Sequence, residues 1–215
     1  MVYQSKAYNF VLRLVVACVL APLVLLITVM GGFAFTAMVM AAAIIMGAEW
    51  SQMTYHKSNV WKIAGIPYIL IPCMSLVWIA GLPTGFFPNQ VSGENVIISI
   101  FVLVWANDIG GYVFGKLIGG KKLCPKVSPN KTISGFIGGV VCALTLAPVL
   151  GGSLIFASSV AIIASIGDLI ESWMKRRCKV KDSGNIIPGH GGLLDRVDGV
   201  LVVITLFALV VFCSN

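Results

Sequence analysis

Ser153-Leu-Ile-Phe-Ala-Ser-Ser-Val-Ala-Ile-Ile-Ala-Ser-Ile-Gly-Asp-Leu-Ile-Glu171 is an apolar run that ends in two acids. Nothing charged precedes Asp168 in it, and its length approaches the roughly 20 residues that carry a helix across a bilayer. Asp168 and Glu171 are three positions apart, so a helix places both on one face. A charge left unpaired in such a span costs at least about 2.5 to 3.5 kcal/mol. Acids at the end of this run therefore imply either partners or a function.

The rest of the chain has the same character. Of its 215 residues 58% are hydrophobic and 11% charged, against roughly 25% charged in soluble domains. Apolar runs separated by polar or glycine-containing breaks predict an all-α, polytopic membrane protein forming a single domain over 1–215. About seven transmembrane helices are expected, near 9–30, 33–50, 62–81, 95–117, 132–150, 153–171 and 197–213. The first run lacks a small-residue cleavage site and reads as a retained span. Gly31-Gly32 and Gly151-Gly152 predict tight turns on one side, with the Pro- and Gly-rich Leu82–Glu94 loop beside them. The six cysteines show no CxxC pairing, so neither a disulfide framework nor a zinc site is implied.

All fifteen Lys and Arg residues fall in the opposite set of segments. The positive-inside rule then puts the N-terminus in the cytoplasm, together with the two long basic loops, 116–131 and 172–196. The +7 net charge is concentrated on one membrane face, where it attracts anionic headgroups and soluble anions.

The acids gather at that face. Asp108 lies toward the cytoplasmic end of the fourth span, and Asp195 and Asp198 repeat the three-residue spacing at the start of the last. Carboxylates at one depth, with phosphate oxygens and water, are how magnesium is held in nucleotide enzymes. A single acid would more simply neutralise Arg176, Arg177 or Arg196, but four at one depth favour a site. Between the pairs, Lys181-Asp-Ser-Gly184 and Pro188-Gly-His-Gly-Gly192 make Lys175–Leu194 too glycine-rich for a helix. Backbone N–H groups in such a loop approach phosphates closely. Gly110–Lys116 nearly spells a P-loop, but Leu117 stands where Ser or Thr must bind metal, and that reading is rejected. Gly111, Gly115, Gly135 and Gly139 at four-residue spacing point to close helix packing rather than to binding.

Ser172-Trp-Met-Lys-Arg176, Lys181-Asp-Ser-Gly184 and Ile187-Pro-Gly-His-Gly-Gly-Leu-Leu-Asp-Arg-Val-Asp198 together resemble the signature of the phosphatidate cytidylyltransferases, also called CDP-diacylglycerol synthases. A second block resembles the other patterned region of that family: Val104-Trp-Ala-Asn-Asp108, Gly115-Lys116, Ser128-Pro-Asn-Lys-Thr132 and Gly135-Phe-Ile-Gly-Gly139. The resemblance covers about half the chain. Ser134 stands where the family usually has Glu or Gln, and Gly199 where Ser commonly follows.

This resemblance implies transfer of CMP from CTP to phosphatidic acid, a magnesium requirement with room for a second cation, membrane lipids as surroundings and a homodimer. It makes 1–94 N-terminal transmembrane helices and 95–215 the catalytic core. Asp168 and Asp195 match the family's metal ligands. Lys175, Arg176, Lys181, Asp182, His190 and Arg196 match further catalytic positions. Asp108, Ser128, Lys131, Thr132, Glu171, Ser172 and Asp198 are assigned to substrate binding. The expected location is a bacterial inner membrane with the site on the cytoplasmic face, and no nucleic-acid partner is expected. Two rivals are a CTP-dependent polyprenol or phytol kinase, which would move the γ-phosphoryl group, and a transporter, whose acids would sit nearer the midplane.

Overall fold

A computed structural model describes the backbone of residues 6–84, 86–87, 91–187 and 191–214, with side chains from Val15 onward. Seven helices are present among them: α1 Lys6–Met30, α2 Gly32–Met53, α3 Asn59–Ala80, α4 Gly93–Leu117, α5 Ile133–Leu146, α6 Leu154–Cys178 and α7 Leu194–Cys213. Five of them, α2, α3, α4, α6 and α7, are long and apolar enough to cross a bilayer; the apolar stretches Val15–Met30 and Ile133–Leu146 are shorter. The helix count thus agrees with the expectation of about seven, while spanning length is met by five. Outward faces carry Val29, Phe33, Ile44, Ile155 and Val210, all well exposed. Such faces suit lipid and not water, and the protein is an integral membrane protein.

Local chemistry sets several boundaries. Ser92, Thr132 and Ser153 accept hydrogen bonds from the backbone N–H of Asn95, Gly135 and Phe156, capping α4, α5 and α6. Gly31, Gly32 and Gly151 take positive φ at the expected turns. Helix α6 overruns its expected end at 171 by seven residues. Hydropathy registers the hydrocarbon layer, about 30 Å thick, whereas 25 residues at about 1.5 Å each reach roughly 37 Å. The extra turns hold Lys175, Arg176 and Arg177, which complement the helix C-terminal dipole, before Lys179 at φ 62° ends it. Residues 172–178, expected in a loop, are therefore helical.

The all-α expectation needs a second correction. Loop 116–131 folds in part into a hairpin, β1 Lys122–Cys124 paired antiparallel with β2 Ser128–Thr132, with Lys122 opposite Thr132 and Cys124 opposite Ser128. These polar residues, Pro129 among them, carry neither β propensity nor alternation, so only the pairing makes the strands.

The core runs continuously from α2 to α7, with Phe35, Ile79, Ile97, Ile100, Leu103, Leu194 and Ile204 almost wholly buried. Helix α4 is central, touching α1, α3, α5, α6 and α7. Its approach to α5 depends on absent side chains. A Cβ on Gly139 would lie 2.6 Å from the Asn107 carbonyl oxygen, one on Gly135 2.6 Å from that of Gly111, and one on Gly110 2.7 Å from Cys142 Sγ. The four-residue glycine spacing thus marks a packing surface. The segment that nearly spells a P-loop lies inside α4. Helices α6 and α7 meet likewise, with Gly167 against the backbone of Asp198 and Gly199.

Gly139→Ala is expected to destabilise the protein by about 1 to 3 kcal/mol through overpacking. Its apparent unfolding temperature in detergent should fall, whereas Gly47→Ala, whose added methyl meets nothing within 4 Å, should leave that temperature level or raised.

Candidate functional site

The close approach of α4 to α5 and of α6 to α7 brings four helix ends and the β-hairpin around one cavity of about 650 Å³. Its walls carry the acids Asp108, Asp168, Asp182, Asp195 and Asp198 and the bases Lys116, Lys131, Lys175 and Arg196, together with Asn107, Tyr112, Asn130, Thr132 and Ser165. Nine of the expected site residues therefore converge: Asp108, Lys131, Thr132, Asp168, Lys175, Asp182, Asp195, Arg196 and Asp198.

The hairpin brings Lys131 Nζ onto Asp168 Oδ2, while Ser172 Oγ lies 3.4 Å from Asp168 Oδ1. Lys175, one turn beyond Glu171, sets Nζ 2.5 Å from Asp195 Oδ1 and 3.3 Å from Glu171 Oε1. Glu171 is fully buried, with Lys175 Nζ and the Asp198 carboxyl as its polar neighbours. The Lys175 ammonium is thus its compensating charge. Asp195 Oδ2 accepts from Ser183 N at 2.8 Å, Gly192 N at 2.9 Å and Ser183 Oγ at 3.0 Å. The glycine-rich loop is consequently folded onto a carboxylate of α7.

Other expected residues stand outside the cavity lining. Arg176 donates to the carbonyl oxygens of Val127 and Val180, at 3.3 and 3.1 Å, and so joins the end of α6 to the hairpin. Ser128 is the hairpin partner of Cys124. Lys181 borders a separate open groove with Gln52, Met53 and Asn185. Glu171 and Ser172 lie behind the wall, in contact with Lys175 and Asp168. His190 falls outside the described residues.

Two side chains escaped the sequence reading. Asn107, beside Asp108, donates from Nδ2 to Ser165 Oγ at 3.1 Å and ties α4 to α6. Glu49, at the end of α2, is buried against the glycine-rich loop. A lone acid closing an apolar run was a signal for it, of the same kind that singled out Asp168.

The donor set suits a hard divalent cation, because the acids offer carboxylate oxygens and no sulfur or imidazole competes among the described lining residues. Among the described residues no three acids, histidines or cysteines stand at ligand spacing. Among the described contacts one oxygen of Asp168 and one of Asp195 each face a lysine ammonium, a group on a flexible stem. Those oxygens fit a magnesium ion.

Comparison with known proteins places this geometry. Residues 62–214 match the model of the cytidylyltransferase family, and the chain belongs to that family. Among individual relatives, the phosphatidate cytidylyltransferase of Brucella suis is 38% identical over 181 residues, which cover 80% of this chain and 63% of that one. Those of Staphylococcus haemolyticus and Staphylococcus aureus are 43% and 41% identical, covering 56% and 60% of this chain and 50% and 54% of theirs. The chain thus spans between half and two thirds of the length of these relatives.

Lys175→Met is expected to cost about 3 to 5 kcal/mol, because it strands buried Glu171 and Asp195 without their cation. Adding Glu171→Gln should recover part of the loss, as read by thermal unfolding in detergent.

Proposed function

We propose that this protein is a phosphatidate cytidylyltransferase, joining CMP from CTP to phosphatidic acid and releasing pyrophosphate. The observation that carries the reading is the cavity at the helix ends, where acids alternate with lysines and an arginine in a chain of the cytidylyltransferase family. The names of its relatives supply the lipid acceptor.

The reaction is an in-line displacement. A phosphate oxygen of phosphatidic acid forms a bond to the α-phosphorus of CTP, the bond from that phosphorus to the bridging oxygen breaks, and pyrophosphate departs with the electron pair. The nucleophile is already anionic, so no general base is required. The obstacle is bringing two anions together. Lys116, Lys131, Lys175 and Arg196 border the cavity and screen the phosphates. Lys131 exchanges Asp168 for phosphate oxygens as the substrates enter, while Lys175 stays beside Glu171 and adds its charge to the wall.

Asp168 and Asp195 are the residues that would hold magnesium, through the oxygens now facing those lysines. Bound there, magnesium would neutralise phosphate charge and polarise the phosphorus–oxygen bonds. The loop donors on Asp195 Oδ2 keep its other oxygen directed at the cavity.

The reading includes a location and an assembly. The one-sided lysines and arginines support a cytoplasmic site in a bacterial inner membrane, where soluble CTP meets the headgroup of a bilayer lipid. The family resemblance supports a homodimer.

With CTP labelled on the α-phosphorus, label is expected in the lipid only when phosphatidic acid and magnesium are both supplied; label remaining in CDP would favour a kinase. Asp168→Asn and Asp195→Asn should each lower turnover by about 10² or more while the protein still inserts into membranes. Near-normal activity of either variant would remove that residue from the metal site.

A further inference from the structure

Glu49 closes α2, an N-terminal helix outside the segment that matches the family, and its side chain is 1% exposed. Its carboxylate is directed at the beginning of α7. Oε1 accepts from the backbone N–H of Leu193 at 2.8 Å, and Oε2 from that of Leu194 at 2.9 Å. Leu193 is the N-cap of α7 and supplies no side-chain cap of its own. The first N–H groups of a helix lack intrahelical acceptors, and the helix dipole favours negative charge there. Glu49 supplies both acceptor and charge from another helix.

The same carboxylate meets the glycine-rich loop. Ser183 Oγ lies 3.4 Å from Glu49 Oε2 and 3.0 Å from Asp195 Oδ2, so one hydroxyl stands between the two carboxylates. The loop glycines are fitted to it: a Cβ on Gly184 would lie 2.8 Å from Glu49 Oε1, and one on Gly192 2.7 Å from Oε2. Gly184 follows the donor Ser183, and the N–H of Gly192 is itself a donor to Asp195. Asp195 and Arg196 lie in the first turn of α7 and Asp198 just beyond it, and all three border the cavity.

We infer that Glu49 is a positioning residue for the reaction: it caps α7 and clamps Ser183–Gly184 and Gly192–Leu193 against it, and so sets the aim of Asp195, Arg196 and Asp198 without touching substrate. This rests on the function proposed above. It also gives the N-terminal half of the chain a part in catalysis.

The test compares Glu49→Gln with the wild type in detergent micelles. Glutamine keeps the shape and burial, but turns an NH₂ group toward one of the two backbone donors. Amide hydrogen exchange in peptides covering 182–196 should accelerate by about tenfold or more, the scale of one lost charge-assisted hydrogen bond, with exchange in α3 and α4 unchanged. The kcat for label transfer from CTP should fall by a similar factor, with the KM for CTP changed far less. Glu49→Asp, which keeps the charge but shortens the reach to the N–H groups of Leu193 and Leu194, should give the same pattern and serves if Glu49→Gln does not fold.

Unchanged exchange in 182–196 would overturn the inference, as would exchange rising equally in every helix. Local loosening without loss of kcat would also overturn it. If the wild type transfers no label to lipid, the proposed reaction fails on that result alone. The exchange data then still decide whether Glu49 holds the loop.

Discussion

Lys175 Nζ lies between Glu171 Oε1 of its own helix and Asp195 Oδ1 of the next, at 3.3 and 2.5 Å. Both carboxylates are close to fully buried at the end of an apolar bundle. The ammonium offsets the charge of both, while Asp195 Oδ2 also accepts from Ser183 and Gly192. Positions 171 and 175 are fixed by one helical turn, so the pair holds α7 at a set depth beside α6. Asp168 and Asp198, on the same two helices, are placed by the same contact.

Glycine makes the placement geometrically attainable. Gly167 lets the α7 backbone approach α6 just before Asp168, and the glycines of α4 and α5 do the same on the opposite wall. Without a hydrophobic driving force between helices in lipid, close backbone contact supplies the packing. The residues that pack the helices and those that line the cavity alternate along the same short segments. Asp108 precedes Gly110 and Gly111, and Asp168 follows Gly167. A site of fixed charges in a bilayer needs walls that cannot separate, and this alternation provides them.

Ser183–Gly184 and Gly192–Leu194, described parts of the glycine-rich segment on either side of 188–190, lie between two carboxylates. Asp195 Oδ2 gathers its donors from the cavity side, and Glu49 takes the backbone of Leu193 and Leu194 from behind. Their glycines are required by close approach to those side chains, as the crowding at Gly184 and Gly192 indicates.

Apolar length and the confinement of charge were legible residue by residue, because the cost of a charge in hydrocarbon is local. That was enough to place helices, turns, the close-packing glycines and the acids of α4, α6 and α7. It was not enough for the end of α6 or the hairpin at Lys122–Thr132, since hydropathy measures the bilayer and polar strands exist only by pairing. Nor did it reveal that Arg176 serves the hairpin, that Lys131 meets Asp168, or that Glu49 reaches across 144 positions to Leu193. The sequence by itself determined which groups had to find partners. Tertiary structure alone decided which partners they found, because hydrogen bonds and ion pairs between helices depend on distances that no spacing along the chain encodes.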